Sequence, residues 1–249
     1  MVSRFLPDAW LAESLGRPVF RLVTGALGGL SGALGIEMSR LSGRDDALFY
    51  AKLPTSDVQM CIALGSVGFA VIDTAITLSR GAGVVSASKG IGVAIARRDQ
   101  YEVIPKIAER CFRWSRFHLD PKIPPNLANS IKRRWLESYV QGTRGSALYA
   151  AEIDGVVAGF LAVIESTVDS RPVAIIDLLG VTSEYQGRGV GTALVQSFTR
   201  DWQGRVSELR VGTQAANVAS LRLYESCGFR VVESSYVLHA HYHHGEMQR

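Results

Sequence analysis

From residue 91 onward the apolar positions fall into short blocks that switch between strand and helix spacing. A run at 91–96 reads as a strand. Asp99 is placed to cap a helix reaching about residue 112, interrupted or started late at Pro105. A loop over 115–125 precedes a helix at about 127–140. Runs at 147–153 and 156–165 read as two strands, and Asp154-Gly155 between them is a strong hairpin signal. A continuous apolar segment follows at 173–181. Over 192–202, Leu194, Val195, Phe198 and Trp202 recur at helix-face spacing. A strand at 208–213, a helix at 217–227 that stops at Gly228, and a strand region at 229–242 complete the series.

Between the strand at 173–181 and the helix after it stands Gln186-Gly187-Arg188-Gly189-Val190-Gly191. The first turn of a helix has unpaired N–H groups and the positive end of the helix dipole. A glycine-rich turn opening such a helix makes an anion cradle built mostly of backbone. Taken alone it reads equally well as a tight turn. It is not the six-position dinucleotide glycine pattern, and no Gly-Lys-Ser/Thr follows to make a nucleoside-triphosphate loop.

The neighbouring residues decide between these readings. Gln186, Gly189 and Gly191 match Gln/Arg-x-x-Gly-x-Gly/Ala, the pyrophosphate signature of the GNAT N-acetyltransferases. Asn217, Leu223, Tyr224, Gly228 and Phe229 match a second signature of that family, in the right order. The chain therefore resembles the GNAT family. The resemblance implies an α/β fold, a mixed sheet splayed where the acyl cofactor inserts, and acetyl-CoA as co-substrate. It implies that backbone N–H groups of Gln186, Gly187, Arg188, Gly189, Val190 and Gly191 hold the pyrophosphate. Leu179 and Val181 would offer backbone groups to the pantetheine arm and the acetyl carbonyl, and a bulge there would explain the splaying. Asn217 would bond the cofactor arm, or simply cap its helix. Arg222 contacts a cofactor phosphate or is merely solvated.

The first eighty residues carry a second pattern. Leu64-Gly65-Ser66-Val67-Gly68-Phe69 and the strand after it resemble Tyr224-Glu225-Ser226-Cys227-Gly228-Phe229 and its strand. The N-terminal region, 1–82, reads as a smaller, degenerate, non-catalytic half-copy of the GNAT fold. Residues 83–90, small and glycine-containing, read as a linker, and 91–249 as the catalytic domain. The glycine-rich stretch 22–36 reads as a flexible connector or loose hairpin. Patchily, over most of the chain, the closer resemblance is to family members that acetylate the amine of a nucleotide-linked amino-deoxysugar. Its marks are Ser115-Arg116-Phe117, Trp135-Leu136-Glu137 and Leu209 to Gln214.

Composition narrows the partners. The 249 residues are 47% hydrophobic and 20% charged, with a net charge of +4. Basic residues are scattered apart from Lys132-Arg133-Arg134, with no aromatic-interleaved basic stripe, which argues against nucleic acid. The apolar run at 22–36 is too short to span a bilayer. Cys61, Cys111 and Cys227 lie far apart without metal-ligand spacing, so a reduced, cytoplasmic protein is expected. A small-molecule amine is the expected partner, and a homodimer is compatible with the sequence.

The resemblance also assigns the chemistry. Tyr224 would be the general acid that protonates the leaving thiolate, since a tyrosine is protonated at neutral pH. Asp177 is a base candidate, or makes a structural hydrogen bond. Arg116, Phe117 and His118 lie in the region that shapes acceptor sites in the family; Arg116 would pair with an acceptor phosphate. His239, His241 and His243 alternate on a terminal strand and could approach a metal, but read more simply as incidental, and no step requires a metal. Acceptors other than an amino sugar are a protein or peptide amine, a polyamine or an antibiotic. A reading of another class is a CoA-binding sensor without turnover.

Overall fold

The computed structural model describes residues 4–23, 31–81 and 91–248. The linker expected at 83–90 lies outside the described residues, as does 24–30 of the glycine-rich stretch. In chain order the elements are β1 (Phe5–Pro7), α1 (Ala9–Leu15), β2 (Val19–Leu22), α2 (Ser31–Ser42), β3 (Ala47–Pro54), α3 (Val58–Ser66) and β4 (Ala70–Gly81). Then come β5 (Gly92–Ile95), α4 (Val103–Cys111), α5 (Arg116–Leu119), α6 (Pro125–Val140), β6 (Ala147–Ile153), β7 (Val156–Val168) and β8 (Arg171–Val181). The chain closes with α7 (Val190–Trp202), β9 (Glu208–Gln214), α8 (Val218–Ser226), β10 (Arg230–His243) and β11 (Glu246–Gln248). No helix among the described residues is long and apolar enough to cross a membrane.

These elements form two compact units. The first comprises Met1–Ala75, Trp114–Leu127 and Glu233–Arg249; the second comprises Ile76–Arg113 and Ala128–Val232. This division differs from the expected cut at 83–90. Residues 114–127 and the chain's last strands pack with the N-terminal region, because their buried side chains find partners there.

In the first unit β1 is antiparallel to β2, β2 parallel to β3, β3 antiparallel to β10, and β10 antiparallel to β11. Alternation sorts the β3–β10 pair into two faces. Phe49, Ala51, Leu238, Ala240 and Tyr242 enter an apolar core with Leu34, Met38, Leu64 and Phe69. Tyr50, His239 and His241 take the opposite side, with Tyr50 directly across from His239. Helix α2 corrects the expected connector over its second half, 31–36. Leu34 (2% exposed) and Met38 (fully buried) anchor it, so burial overrides the poor helix propensity of its two glycines.

In the second unit β9 is parallel to β8, and β8, β7, β6 and β5 are antiparallel in turn. Leu161 and Val163 of β7 pack with Leu194, Phe198 and Trp202 of α7. Phe160 and Ala162 face the other way, onto Ile104 and Ala108 of α4 and Leu136 of α6. The Asp154-Gly155 hairpin is present, with both residues at positive φ, as a two-residue turn matched to strand twist requires. Asp99 does not cap α4: it lies in a short 3₁₀ turn, where the Gln100 side chain accepts from Arg97 N–H at 2.8 Å.

The units share a local plan. Asp57, three residues past β3, caps α3 by accepting from Met60 N–H at 3.1 Å; Asn217, three past β9, caps α8 from Ser220 N–H at 3.2 Å. Buried Leu64 and Tyr224 follow, then Gly68 and Gly228 at φ of 93° and 86°, then buried Phe69 and Phe229. Likewise β2 runs parallel to β3 across α2, as β8 does to β9 across α7.

Candidate functional site

The second unit's sheet opens at one defined point. Strands β8 and β9 pair from Val173↔Glu208 to Ile176↔Val211, and the pairing stops there although both strands continue. Residue 177 is the reason. The β7–β8 register steps from Ala162↔Leu178 to Val163↔Ile176, leaving Asp177 as the extra residue of a bulge. A bulge bends and twists its strand, so β8 turns away from β9. The expected bulge is thus present, two residues before Leu179. Beyond it, the β8 edge through Leu179 and Val181 lacks a β9 partner and has backbone groups to offer.

At the end of β8 the chain enters the glycine turn. Gln186, Gly187, Arg188 and Gly189 are exposed, and Val190 is buried. Gly189 is the N-cap of α7 at φ 85°, and among the described residues no side chain bonds the first-turn N–H groups. Those N–H groups are therefore open to an anion. A Cβ on Gly187 would meet nothing within 4 Å, so that glycine serves the positive φ of 74° rather than clearance. Gln186 donates its amide to the Val181 carbonyl at 3.2 Å, tying the turn to the strand end. Arg188 stacks over Tyr185 with its guanidinium 5.4 Å from the ring centre.

Tyr224 is 4% exposed, its ring edge-on to Phe229 at 6.1 Å. Among the described residues no hydrogen bond is made by its hydroxyl. Burial, and then the neighbouring Cys227 thiol, push its pKa above the ordinary tyrosine value. The phenol stays protonated throughout the neutral range: it can donate a proton and cannot serve as a base. Asn217 spends its side chain on the α8 cap, and Arg222 is exposed.

Asp177, the expected base candidate, is held differently. Its Oδ2 accepts from Trp135 Nε1–H (2.9 Å), Tyr139 Oη–H (2.7 Å) and Arg144 Nε–H (2.8 Å), and its Oδ1 from Arg144 Nη2–H (3.2 Å). Of the two roles expected for Asp177, base or structural hydrogen bonding, these four bonds, three of them on Oδ2, are the structural one, and they anchor the bulge. Burial and the Asp177 carboxylate push the Tyr139 hydroxyl pKa up, which keeps it a donor.

The acceptor candidates Arg116, Phe117 and His118 belong to the first unit. Phe117 is 2% exposed and works as a core ring. His118 Nδ1 lies 2.6 Å from Ser115 Oγ at the start of α5. Arg116 is partly exposed, its guanidinium 4.1 Å from the Tyr50 ring centre and 4.7 Å from that of Phe117.

A buried cluster lies in the same unit, and no local pattern around residue 120 marks its acidic member. Asp120 Oδ2 is 2.5 Å from His239 Nδ1 and 2.7 Å from His241 Nε2, all three residues being buried. Arg17 Nη2 is 3.2 Å from His241 Nδ1. Arginine can only donate, so the bonding pattern puts the His241 proton on Nε2, toward Asp120. Burial works against ionising Asp120, but its bonds to the two histidines prevail and hold it below the carboxylate range. These histidines are structural partners of a carboxylate, not the incidental ones expected. Asp46, His243 and His244 form a second, more exposed group, its side-chain ligand atoms within 4.8 Å of one another.

Two cavities of about 320 and 310 Å³ lie in the second unit, one between α4 and α6, the other beside Trp202 and Arg205. Neither is lined by the glycine turn or Tyr224.

The sequence profile of the acetyltransferase (GNAT) family matches residues 104–229, just over half of the chain. The splayed strands, the open helix N-terminus and the buried tyrosine all lie within or beside that match, and the chain belongs to the GNAT family of N-acetyltransferases. Among curated relatives, dTDP-fucosamine acetyltransferase of Escherichia coli O6:H1 is 28% identical over 194 residues, covering 76% of this chain and 80% of that one. Spore coat polysaccharide biosynthesis protein SpsD of Bacillus subtilis is 28% identical over 139 residues, 55% of this chain and 46% of its own length. The chain thus spans about half of SpsD. Among solved structures, a tandem GNAT protein from the clavulanic acid biosynthesis pathway aligns over 91% of this chain and 76% of its own, with a TM-score of 0.60 at 14% identity. That likeness concerns the fold.

Proposed function

We propose that the protein transfers an acetyl group from acetyl-CoA to the primary amine of a small acceptor, a nucleotide-linked amino-deoxysugar, by direct attack on the thioester. The observation that carries this reading is the parting of β8 from β9 after Ile176 and Val211, with the open N-terminus of α7 at the end of the freed strand. An extended arm ending in a pyrophosphate matches a strand edge ending in an anion cradle. The residues present fit acetyl-CoA on that ground. The N–H groups of Gln186 through Gly191 would hold the pyrophosphate, and the backbone of Leu179 and Val181 the pantetheine arm and the acetyl carbonyl. Bound acetyl-CoA supplies an activated acyl group, so the protein's task is orientation and proton return. Tyr224, protonated and without a competing hydrogen bond among the described residues, gives its proton to the departing thiolate and is reprotonated by the proton the attacking amine loses. The first unit, with Leu64 where Tyr224 stands, is a non-catalytic half-copy.

The sugar acceptor is favoured by the two relatives named for fucosamine acetylation and polysaccharide synthesis. Thiol release measured with acetyl-CoA across a panel of amines tests it. Turnover with a thymidine diphosphate-linked amino sugar is expected. Turnover only with peptides or polyamines would move the acceptor class, and acetyl-CoA binding with no acetylated amine would make the protein a sensor.

A further inference from the structure

Arg116 lies on the polar side of the β3–β10 pair, over the Tyr50 ring, within electrostatic reach of both Asp73 of β4 and His239. Asp73 is 7% exposed, and its carboxyl accepts the backbone N–H of Thr74 with no bonded side-chain donor among the described residues. Burial pushes its pKa up to about 6, against the opposing charge of Arg116, so it is ionised at neutral pH. Arg116 itself has no carboxylate at ion-pair distance among the described residues. It rests on the faces of Tyr50 and Phe117, and the Tyr50 hydroxyl that bonds it also donates to Asp8 at 2.8 Å.

The third observation is an orphaned atom. With its Nδ1 turned to Asp120, His239 has Nε2 buried and without a partner among the described residues, in a residue only 1% exposed. Burial lowers the His239 pKa to about 4, so the ring is neutral and Nε2 carries a lone pair. A buried acceptor without a donor is expensive, and such groups in native proteins mark ligands or bound water. The Arg17 Nε–H of the same cluster is also buried and unpartnered.

We propose that this face of the first unit is a binding site for a small hydroxylated molecule carrying both an amine and an anionic group. Asp73 takes the ammonium, Arg116 the anion, and Nε2 of His239 a hydroxyl donor. A phosphorylated amino sugar has all three. The site deepens the acceptor reading above and rests on it for the ligand class, while the binding chemistry stands on the first unit's own residues. Asp120 and Tyr50 are positioning residues, one fixing the His239 ring and the other the Arg116 guanidinium.

Calorimetry on the full chain without acetyl-CoA tests the site with three probes: glucosamine 1-phosphate, glucose 1-phosphate and glucosamine. The first is expected to bind at least tenfold more tightly than either of the others. Asp73→Asn should erase its advantage over glucose 1-phosphate, and Arg116→Gln its advantage over glucosamine. Equal affinity for the three probes in the unmodified protein would overturn the proposal, and that comparison needs no variant to fold. Normal binding by both variants would overturn it as well. Acetyl transfer to an amino sugar by variants that bind as the wild type leaves the proposed function standing and removes this site. The probe pattern without any acetyl transfer does the reverse.

Discussion

Gly191 lies directly against Leu223: a Cβ on the glycine would stand 3.0 Å from Leu223 Cδ2. One residue belongs to the anion turn and the other to the helix that carries Tyr224, so the two signature segments set each other's position. Gly191→Ala adds helix propensity worth about 1 kcal/mol and overpacking of about the same size. Stability should therefore stay within about 1 kcal/mol of wild type, while KM for acetyl-CoA rises. Adding Leu223→Ala should restore KM, which a double-mutant cycle on kcat/KM would read.

Gly189→Ala should behave differently. At φ 85° a side chain is strained by roughly 1–2 kcal/mol. The melting temperature should fall, and acetyl-CoA affinity with it, because relieving the strain turns the first N–H groups of α7 aside.

Tyr224→Phe removes the proton donor and little else, since the hydroxyl has no bond to lose among the described residues. Turnover should drop by roughly 10²- to 10⁴-fold, with acetyl-CoA affinity by calorimetry within about twofold of wild type. Undiminished kcat in this variant would remove Tyr224 from the reaction.

Asp177→Ala strips the acceptor from Trp135, Tyr139 and Arg144 at once. A loss of about 3 kcal/mol in urea unfolding is expected, the usual effect of breaking a largely buried charge network. Asp177→Asn keeps an acceptor oxygen and should lose less. An anchor leaves the shape of the pH profile of kcat/KM unchanged in Asp177→Asn; loss of its acidic limb would reinstate Asp177 as a base.

His239 makes stability fall as the solution is acidified. Its pKa drops from 6.5 to about 4 on folding, chiefly by burial. Between those values the unfolded chain binds the extra proton, so stability is full above 6.5 and declines down to about 4, by roughly 3 kcal/mol. Asp73, raised to about 6, has the opposite slope. The comparison is therefore wild type against His239→Asn, which keeps a donor for Asp120. The difference in urea midpoints between pH 7 and pH 4.5 should shrink in the variant.

What could be read from the sequence was local. The glycine turn, the Asp154-Gly155 hairpin and the Asn217 cap are each written in a few consecutive residues. The Asp177 network was not, because its partners Trp135 and Arg144 are 42 and 33 positions away. The Asp120–His239–His241 cluster spans 119 and 121 positions, and no periodicity encodes such a meeting. Asp99 failed as a cap because the Gln100 side chain beside it reaches the Arg97 N–H. At 31–36 glycine content suggested a connector, while the buried Leu34 and Met38 made a helix.

The pairing of β3 with β10 has a consequence for synthesis. Residues 76–232, the span of the second unit, leave the ribosome before the strand that β3 requires. The first unit has segments on both sides of the second in sequence, and its sheet closes only after His239 and His241 emerge. Domains usually fold in the order they are made; here β3 must wait, with one edge unpaired, until β10 has been made.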